Sequence, residues 1–363
     1  MFGKRNRKGK VLSLGETEIG AWPEQNFLFG LLQGQDCGED WLMNHFIQLR
    51  GARYVDYRWG AQDVSVTFYP YSIHQLAPNM FDLCPFLEKY GVPKGFVRAL
   101  HGKLHEFVVE AIDGGYYLST FIDQFFREDR AGNPGFRHPA FIYGYDGNRR
   151  RIMIADNFEH GKYGRKEITY EQLDRGFDLV SEELWEVSVF LYKMKPVHYE
   201  FVPGYVGEQL EDYLHPGRGV CYFNRTVCPE SFHRDEEYLN EVFYGMDCYD
   251  LLDRCFGEIL EENPEYSRRD WRSLVQLCDH KHLMARRYAY MVERGYAQRD
   301  DALQERLEEL ERQCQIAQNM FIKFTISGDA KIIRRLRERM RDIREMDGET
   351  VEQLLWKCKA NKE

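Results

Sequence analysis

The sequence predicts an α+β domain over residues 1–197 and an all-helical domain over residues 198–363. Three observations carry this reading. In the first half, short strand-like runs alternate with helical patterns: VSVTFYPY (Val64–Tyr71), FIYGYD (Phe141–Asp146), RIMIAD (Arg151–Asp156) and VSVFLY (Val187–Tyr192). The segment KMKPVHYEFVPG, Lys193–Gly204, holds two prolines and a glycine and predicts a linker or crossing. Beyond it, Leu303, Leu307, Leu310, Cys314, Ala317, Phe321 and Phe324 step alternately by four and three, which is a heptad seam.

The elements follow in order. The start, MFGKRNRKGK, is basic but leads into no apolar stretch, so it reads as a frayed tail rather than a secretory signal. Trp41, Leu42, Phe46 and Leu49 share one face of a helix. In the second half, helices are expected around Glu236–Glu262 and Ser267–Glu293. Ser327-Gly328-Asp329 interrupts the heptad seam, and Ile333, Leu336, Met340 and Ile343 resume the spacing. The two stretches predict an antiparallel helical hairpin packed on the earlier helices, with a dimer seam as the less favoured alternative. No fixed-period repeat is present.

Composition narrows the function classes. With 43% hydrophobic and 15% aromatic residues the chain can bury a core, which excludes a disordered protein. Its 49 basic and 59 acidic residues give a net charge of −10, against a general nucleic-acid binder. No apolar run approaches the ~18 residues a membrane helix needs. Nine cysteines are scattered without a C-x-x-C pair, so no metal site is expected, and reduced thiols in a cytoplasm are. Cys221 and Cys228 could oxidise to each other, but a reducing compartment argues against it.

One cysteine stands apart. In QGQDCGEDWLMNHFIQL, Gln33–Leu49, Asp36 is a natural N-cap, which puts Cys37 in the first turn of the following helix. Free N–H groups there favour thiolate over thiol and sharpen the nucleophile. Gly38 leaves room beside the sulfur for a substrate carbonyl. A lone cysteine at a helix start is more often a buried hydrophobe, so a base is needed to support this reading.

The run Arg137–Phe158, RHPAFIYGYDGNRRRIMIADNF, reads as a β-hairpin turning at Asp146-Gly147-Asn148. With a three-residue loop His138 faces Asp156; with a two-residue loop it faces Asn157. Either can accept a ring N–H and orient the imidazole as a base.

These residues carry a resemblance. D-C-G before a helix, a later His opening a strand that reads F-I-Y-G-Y-D, and a strand ending in Ala-Asp resemble the leader peptidases fused to bacteriocin exporters. Those are papain-like cysteine peptidases. The chain more closely resembles the family named for the N-terminal region of the butirosin-biosynthesis acyltransferase. Three further stretches fit it: GGYYLSTFIDQFF (Gly114–Phe126), YGRKEITYEQLDRGF (Tyr163–Phe177) and LVQLCDHKHLMARRYAYM (Leu274–Met291). The match touches most of residues 25–295.

The resemblance implies a papain-like fold, with an N-terminal helix plus antiparallel sheet, and a triad of Cys37, His138 and Asp156. It implies acyl transfer from an acyl or peptidyl carrier-protein thioester, through acyl-Cys37, to a small-molecule amine. The product is an amide in natural-product biosynthesis. A similar amide-forming enzyme serves polythioamide biosynthesis. No resident cofactor is implied, because phosphopantetheine arrives on the carrier protein. Water as acceptor would make the chain a peptidase or amidase; loss of chemistry would leave a carrier-binding module.

The sequence departs from the peptidase pattern at the oxyanion hole. Leu31 stands where such peptidases carry a Gln, so Gln35, and less favourably Gln33, are the candidates. His280 and Lys281, in the segment that fits the family, are candidate substrate contacts, with packing inside the helical domain as the competing reading. Docking of an acidic carrier would use Arg149-Arg150-Arg151 or the basic late helix (Lys331, Arg334, Arg335, Arg337, Arg339, Arg341), unless these are solvated faces. His101 and His105, four apart beside Glu106 on an expected helix, have metal-ligand spacing but no HExxH motif.

Overall fold

The computed structural model describes residues 8–56, 61–69, 79–130, 132–158, 161–181, 188–216, 242–261 and 270–360. Cys221, Cys228, the Pro70-Tyr71 end of the first predicted strand, the Glu236–Glu241 start of one predicted helix and the Ser267–Arg269 start of the next lie outside them.

The described strands are β1 Lys10–Val11, β2 Leu49–Asp56, β3 Ala61–Phe68, β4 Leu87–Pro93, β5 Tyr116–Asp123, β6 Arg137–Asp146, β7 Arg151–Asn157, β8 Tyr163–Thr169, β9 Ser188–Met194 and β10 Val242–Tyr244. The helices of the first two hundred residues are α1 Pro23–Leu32, α2 Gly38–Asn44, α3 Met80–Leu83, α4 Lys94–His101, α5 Leu104–Asp113 and α6 Tyr170–Asp178. Those beyond are α7 Pro203–Leu214, α8 Cys248–Leu260, α9 Arg272–Glu293, α10 Asp301–Ser327 and α11 Ala330–Ala360.

The chain forms two compact units, and each draws on two separate stretches. The first holds residues 1–38 and 80–198; the second holds 39–79 and 199–363. The return crossing at His198–Tyr199 falls beside the boundary expected at 197/198. Residues 39–79, expected in the first domain, group with the second.

The first unit is a mixed α/β structure on an antiparallel sheet of order β4-β9-β5-β6-β7-β8. Strand β5 pairs with β6 as far as Leu118↔Ile142; β1 then takes over the same edge at Val11↔Gly144. Alternate residues point to opposite faces. On one face Leu118, Ile142 and Ile154 pack with Val97, Val108, Leu173 and Phe177 from α4, α5 and α6. On the other, α1 presents Phe27, whose ring stacks on Phe141 at 4.5 Å and meets Tyr117 and Tyr192 edge-on. Helix α6 starts with a capping box: the Thr169 hydroxyl accepts the Gln172 N–H, and the Gln172 side chain accepts the Thr169 N–H.

The second unit is mostly helical but not wholly so. A three-stranded antiparallel sheet of order β10-β2-β3 runs through it. The expectation of an all-helical second domain is therefore corrected. The ribbon β2–β3 comes from the first half of the chain, and Val242–Tyr244 pairs with it from Ala52 to Arg50. So short a run gave no alternating pattern to read. The heptad seam forms as expected. Every apolar position from Leu303 to Phe324 is buried on α10, and Ile333, Leu336, Met340 and Ile343 are buried on α11. Asp300 caps the start of α10 by accepting the Leu303 N–H. Gly328, at φ 67°, ends it in the left-handed region.

Helix α2 is anchored within the second unit by α9. The buried Arg287 donates to the Met43 carbonyl at 2.7 Å and the His45 carbonyl at 2.5 Å, satisfying groups a helix end leaves free. Asp40 accepts the Tyr290 hydroxyl, and Glu39 pairs with Arg286.

Candidate active site

The β6–β7 hairpin turns through four residues, Gly147–Arg150, rather than the three or two expected. The pairs Asp146↔Arg151 to Gly144↔Met153 follow from that turn. Left unbroken, this register would put His138 and Asp156 on opposite faces, because a one-residue slip reverses every side chain. A bulge between Ile142 and Gly144 removes the slip: Tyr143 is the extra residue, and pairing resumes at Ile142↔Ile154 and Phe141↔Ala155. Gly144 lets β1 approach closely there, since a Cβ would crowd the Lys10 carbonyl oxygen at 3.0 Å. His138 is therefore not directly opposite Asp156. Extending the register places them on one face as diagonal neighbours, within reach of a histidine side chain.

They bond across that diagonal. His138 Nδ1 lies 2.7 Å from Asp156 Oδ2. A carboxylate only accepts, so Nδ1 carries the proton and Nε2 is left for other work. The Asp156 side chain is fully buried, while that of His138 is 22% exposed. Two further donors hold the carboxylate. Gln124 Nε2 reaches Oδ2 at 2.6 Å, and the Asn157 backbone N–H reaches Oδ1 at 2.7 Å. Phe136 stacks on the imidazole, with ring centroids 5.3 Å apart and planes 7° apart. The guanidiniums of Arg127 and Arg130 sit 4.9 and 4.3 Å from the centre of the Phe136 ring.

Cys37 lies in the first unit, immediately before α2 begins at Gly38. It was expected inside the first turn; instead it flanks the helix in the left-handed region, at φ 60°. That conformation costs a non-glycine residue about 1–3 kcal/mol. Gly38 is fixed by backbone crowding: a Cβ would stand 2.4 Å from the Leu32 carbonyl oxygen. That is a different reason from the room for substrate that the sequence suggested. Cys37 is half-buried, and no hydrogen bond joins its sulfur to His138. Ala21, just before α1, accepts a hydrogen bond from Asn157. Cys37 follows the opposite end of that ten-residue helix. The structure thus joins two of the three expected triad members by a hydrogen bond, and Cys37 has no hydrogen bond to either.

The other candidates fall as follows. Asn157 is not the alternative partner of His138: its Nδ2 donates to Ala21 at 3.3 Å, as strand alternation from Asp156 requires. Gln33 is exposed at the end of α1, and Gln35 is half-buried two residues before Cys37. Neither side chain makes a hydrogen bond within the described residues. His280 and Lys281 are buried in the second unit and do not form a substrate-contact surface. His280 Nε2 donates to the Ile47 carbonyl at 2.7 Å, and Lys281 Nζ meets Asp347 at 2.5 Å and Tyr213 at 2.9 Å. The packing reading of this pair holds.

His101 and His105 are not on one helix. Gly102, at φ 71°, ends α4 between them, and His105 Nδ1 is bonded to Asp174 at 2.6 Å. Among the described residues no cluster of His, Cys, Asp and Glu could hold a metal ion. At the hairpin tip Arg149 pairs with Glu167 at 3.1 Å and Arg150 with Glu171 at 2.6 Å. On the late helix Arg337 pairs with Asp253 at 2.6 Å. No helix of the described residues is long and apolar enough to cross a membrane.

Sequence reasoning missed Gln124, Arg127 and Phe136. The one available signal was a glutamine directly after the apolar strand β5.

The fold and site define a two-unit α and β protein with a buried aspartate holding a histidine at the end of an antiparallel sheet. No family model matches this chain, and no curated protein matches it either.

Proposed function

We propose that this chain is a cysteine-dependent acyltransferase with a papain-like first unit. It would move an acyl group from a carrier-protein thioester through acyl-Cys37 to an amine, forming an amide in natural-product biosynthesis. The observation that carries the reading is the 2.7 Å bond from His138 to the buried Asp156. An imidazole held in one tautomer, with Nε2 free, is the form a general base takes. The resemblance of the segments around Cys37, His138 and Asp156 supplies the nucleophile and the reaction class.

In this reading His138 Nε2 takes the Cys37 thiol proton and the sulfur attacks the thioester carbonyl. The carbon–sulfur bond to the carrier breaks, and the imidazolium returns that proton so that the carrier leaves as a thiol. The exchange makes one thioester from another, so it needs no other energy source. An amine then attacks acyl-Cys37, His138 accepts its proton, and the Cys37 thiolate departs as the amide forms. The chemistry requires Cys37 to come within hydrogen-bond reach of Nε2 when substrate binds, since contacts open in a free enzyme often close in the complex.

The test is intact mass after incubation with an acyl-pantetheine thioester and then with an acylated carrier protein, wild type beside Cys37→Ala. An acyl adduct that needs Cys37, discharged as amide by added amines, supports the reading; discharge mainly as free acid makes the protein a hydrolase of the same site. The second reading is a carrier-binding module without chemistry, since no hydrogen bond joins Cys37 to His138 in this structure. Carrier binding with no adduct on Cys37 would establish it.

A further inference from the structure

We infer that Gln124 is the positioning residue of the His138–Asp156 pair: its amide fixes the carboxylate, and Arg127 fixes the amide. The inference rests on the proposed function only in taking His138 as the working base.

Gln124 follows β5 directly and is fully buried. Its Nε2 carries two hydrogens, and both are used. One goes to Asp156 Oδ2 at 2.6 Å; the other points to the Pro139 carbonyl at 3.3 Å. Its Oε1 accepts from Arg127 Nη1 at 3.3 Å. Arginine cannot accept and carboxylate cannot donate, so the two neighbours select one orientation of the amide. The flipped amide would set two donors against each other at Arg127 and two acceptors against each other at Asp156. Arg127 is itself held: Nη1 donates to the Asn157 carbonyl at 3.0 Å, Nε to Asp129 at 3.2 Å, and its guanidinium lies over Phe136.

The chain of contacts closes on itself. Phe136, under Arg127 and Arg130, stacks on the same His138 ring that Asp156 holds. Oδ2 of Asp156 thus takes one donor from His138 and one from Gln124, while Oδ1 is occupied by the Asn157 N–H. Without Gln124 the carboxylate keeps its place in the chain but loses a donor on the oxygen that orients the imidazole. Gln124 touches neither ring nitrogen, so its effect passes entirely through Asp156.

The experiment reads the His138 Nδ1 proton by nuclear magnetic resonance, in the full chain and without substrate. The molecule contains its own control, because His105 Nδ1 is bonded to Asp174 at 2.6 Å in the same unit. In Gln124→Met the His138 Nδ1 proton is expected to exchange with water at least about tenfold faster, the factor for one lost hydrogen bond to a charged group. The His105 proton should be unchanged. If Gln124→Met does not fold, Gln124→Glu is read the same way, since it keeps the volume and the Arg127 contact but replaces the donor with an acceptor. Unchanged exchange at His138, or equal acceleration at both histidines, overturns the inference. Neither result depends on acyl transfer, so this inference and the proposed function fail separately.

Discussion

His138 and Asp156 are joined across a diagonal that exists because Tyr143 is bulged out of the pairing between β6 and β7. Asp156 serves three donors at once: the imidazole, the Gln124 amide and the Asn157 backbone. Replacing it by alanine strands all three in a buried place. Asp156→Ala is expected to lower unfolding stability by about 3 kcal/mol. Urea denaturation measures this, and a loss under about 1 kcal/mol would show that the donors find other partners.

The cysteines should separate by reactivity. Of the seven described, Cys37 alone is not buried. Burial pushes the thiols of Cys84, Cys314 and Cys358 up to about 12. Iodoacetamide at about pH 8, near the ordinary thiol range, should therefore label Cys37 before the other described cysteines. Peptide mapping by mass spectrometry reads the order. Earlier labelling of any buried cysteine would contradict the placement of Cys37.

The second unit carries an acid-sensitive pair. Burial lowers His45 from its ordinary 6.5 to about 4, and burial together with the Lys281 charge holds His280 well below 6.5. The unfolded chain then binds protons that the folded chain refuses. The contribution of both is complete above pH 6.5; that of His45 is lost as pH falls toward 4, and that of His280 is lost in the same direction. Each group can add a slope of up to about 1.4 kcal/mol per pH unit across that window. Urea midpoints should fall between pH 6.5 and 4, and His45→Gln should flatten the fall.

Lys281 is expected to matter for stability rather than for turnover. Its ammonium is buried against Asp347, and Tyr213 and Tyr249 donate to the same carboxylate at 2.6 and 3.0 Å. Removing one member of such a pair leaves the other charge stranded, at about 3–5 kcal/mol. Lys281→Met should therefore unfold at markedly lower urea, and adding Asp347→Leu should recover part of the loss. Full stability in the single variant would count against a buried ion pair.

Much of this architecture was legible in the sequence where periodicity is long. The seam from Leu303 to Phe324 repeats turn after turn, and every one of its apolar residues is buried. The strands around Phe141 and Ile152 were equally plain, because short apolar runs bounded by turn residues mark strands covered on both faces. What stayed hidden depended on single residues. The four-residue turn shifts the register by three from the expected pairing and the Tyr143 bulge takes one back; both shifts are odd, so their effects on side-chain facing cancel. A simpler hairpin thus predicts the right neighbours for the wrong reason. Gln124 was invisible because its role depends on what stands near it in space. The pairing of Val242–Tyr244 with β2 joins residues far apart in the chain, which no local pattern reports.

The chain leaves the first unit at Gly38 and returns at Met80, then leaves again after His198. During synthesis on the ribosome, α1 must wait for a sheet whose strand β9 is complete only at Met194. The ribbon β2–β3 waits longer still, for β10 and the helices beyond it. Neither unit can therefore finish before the other has begun. A gene cut after the codon for His198 would leave the second unit divided between two fragments, so that neither fragment alone holds all of its residues.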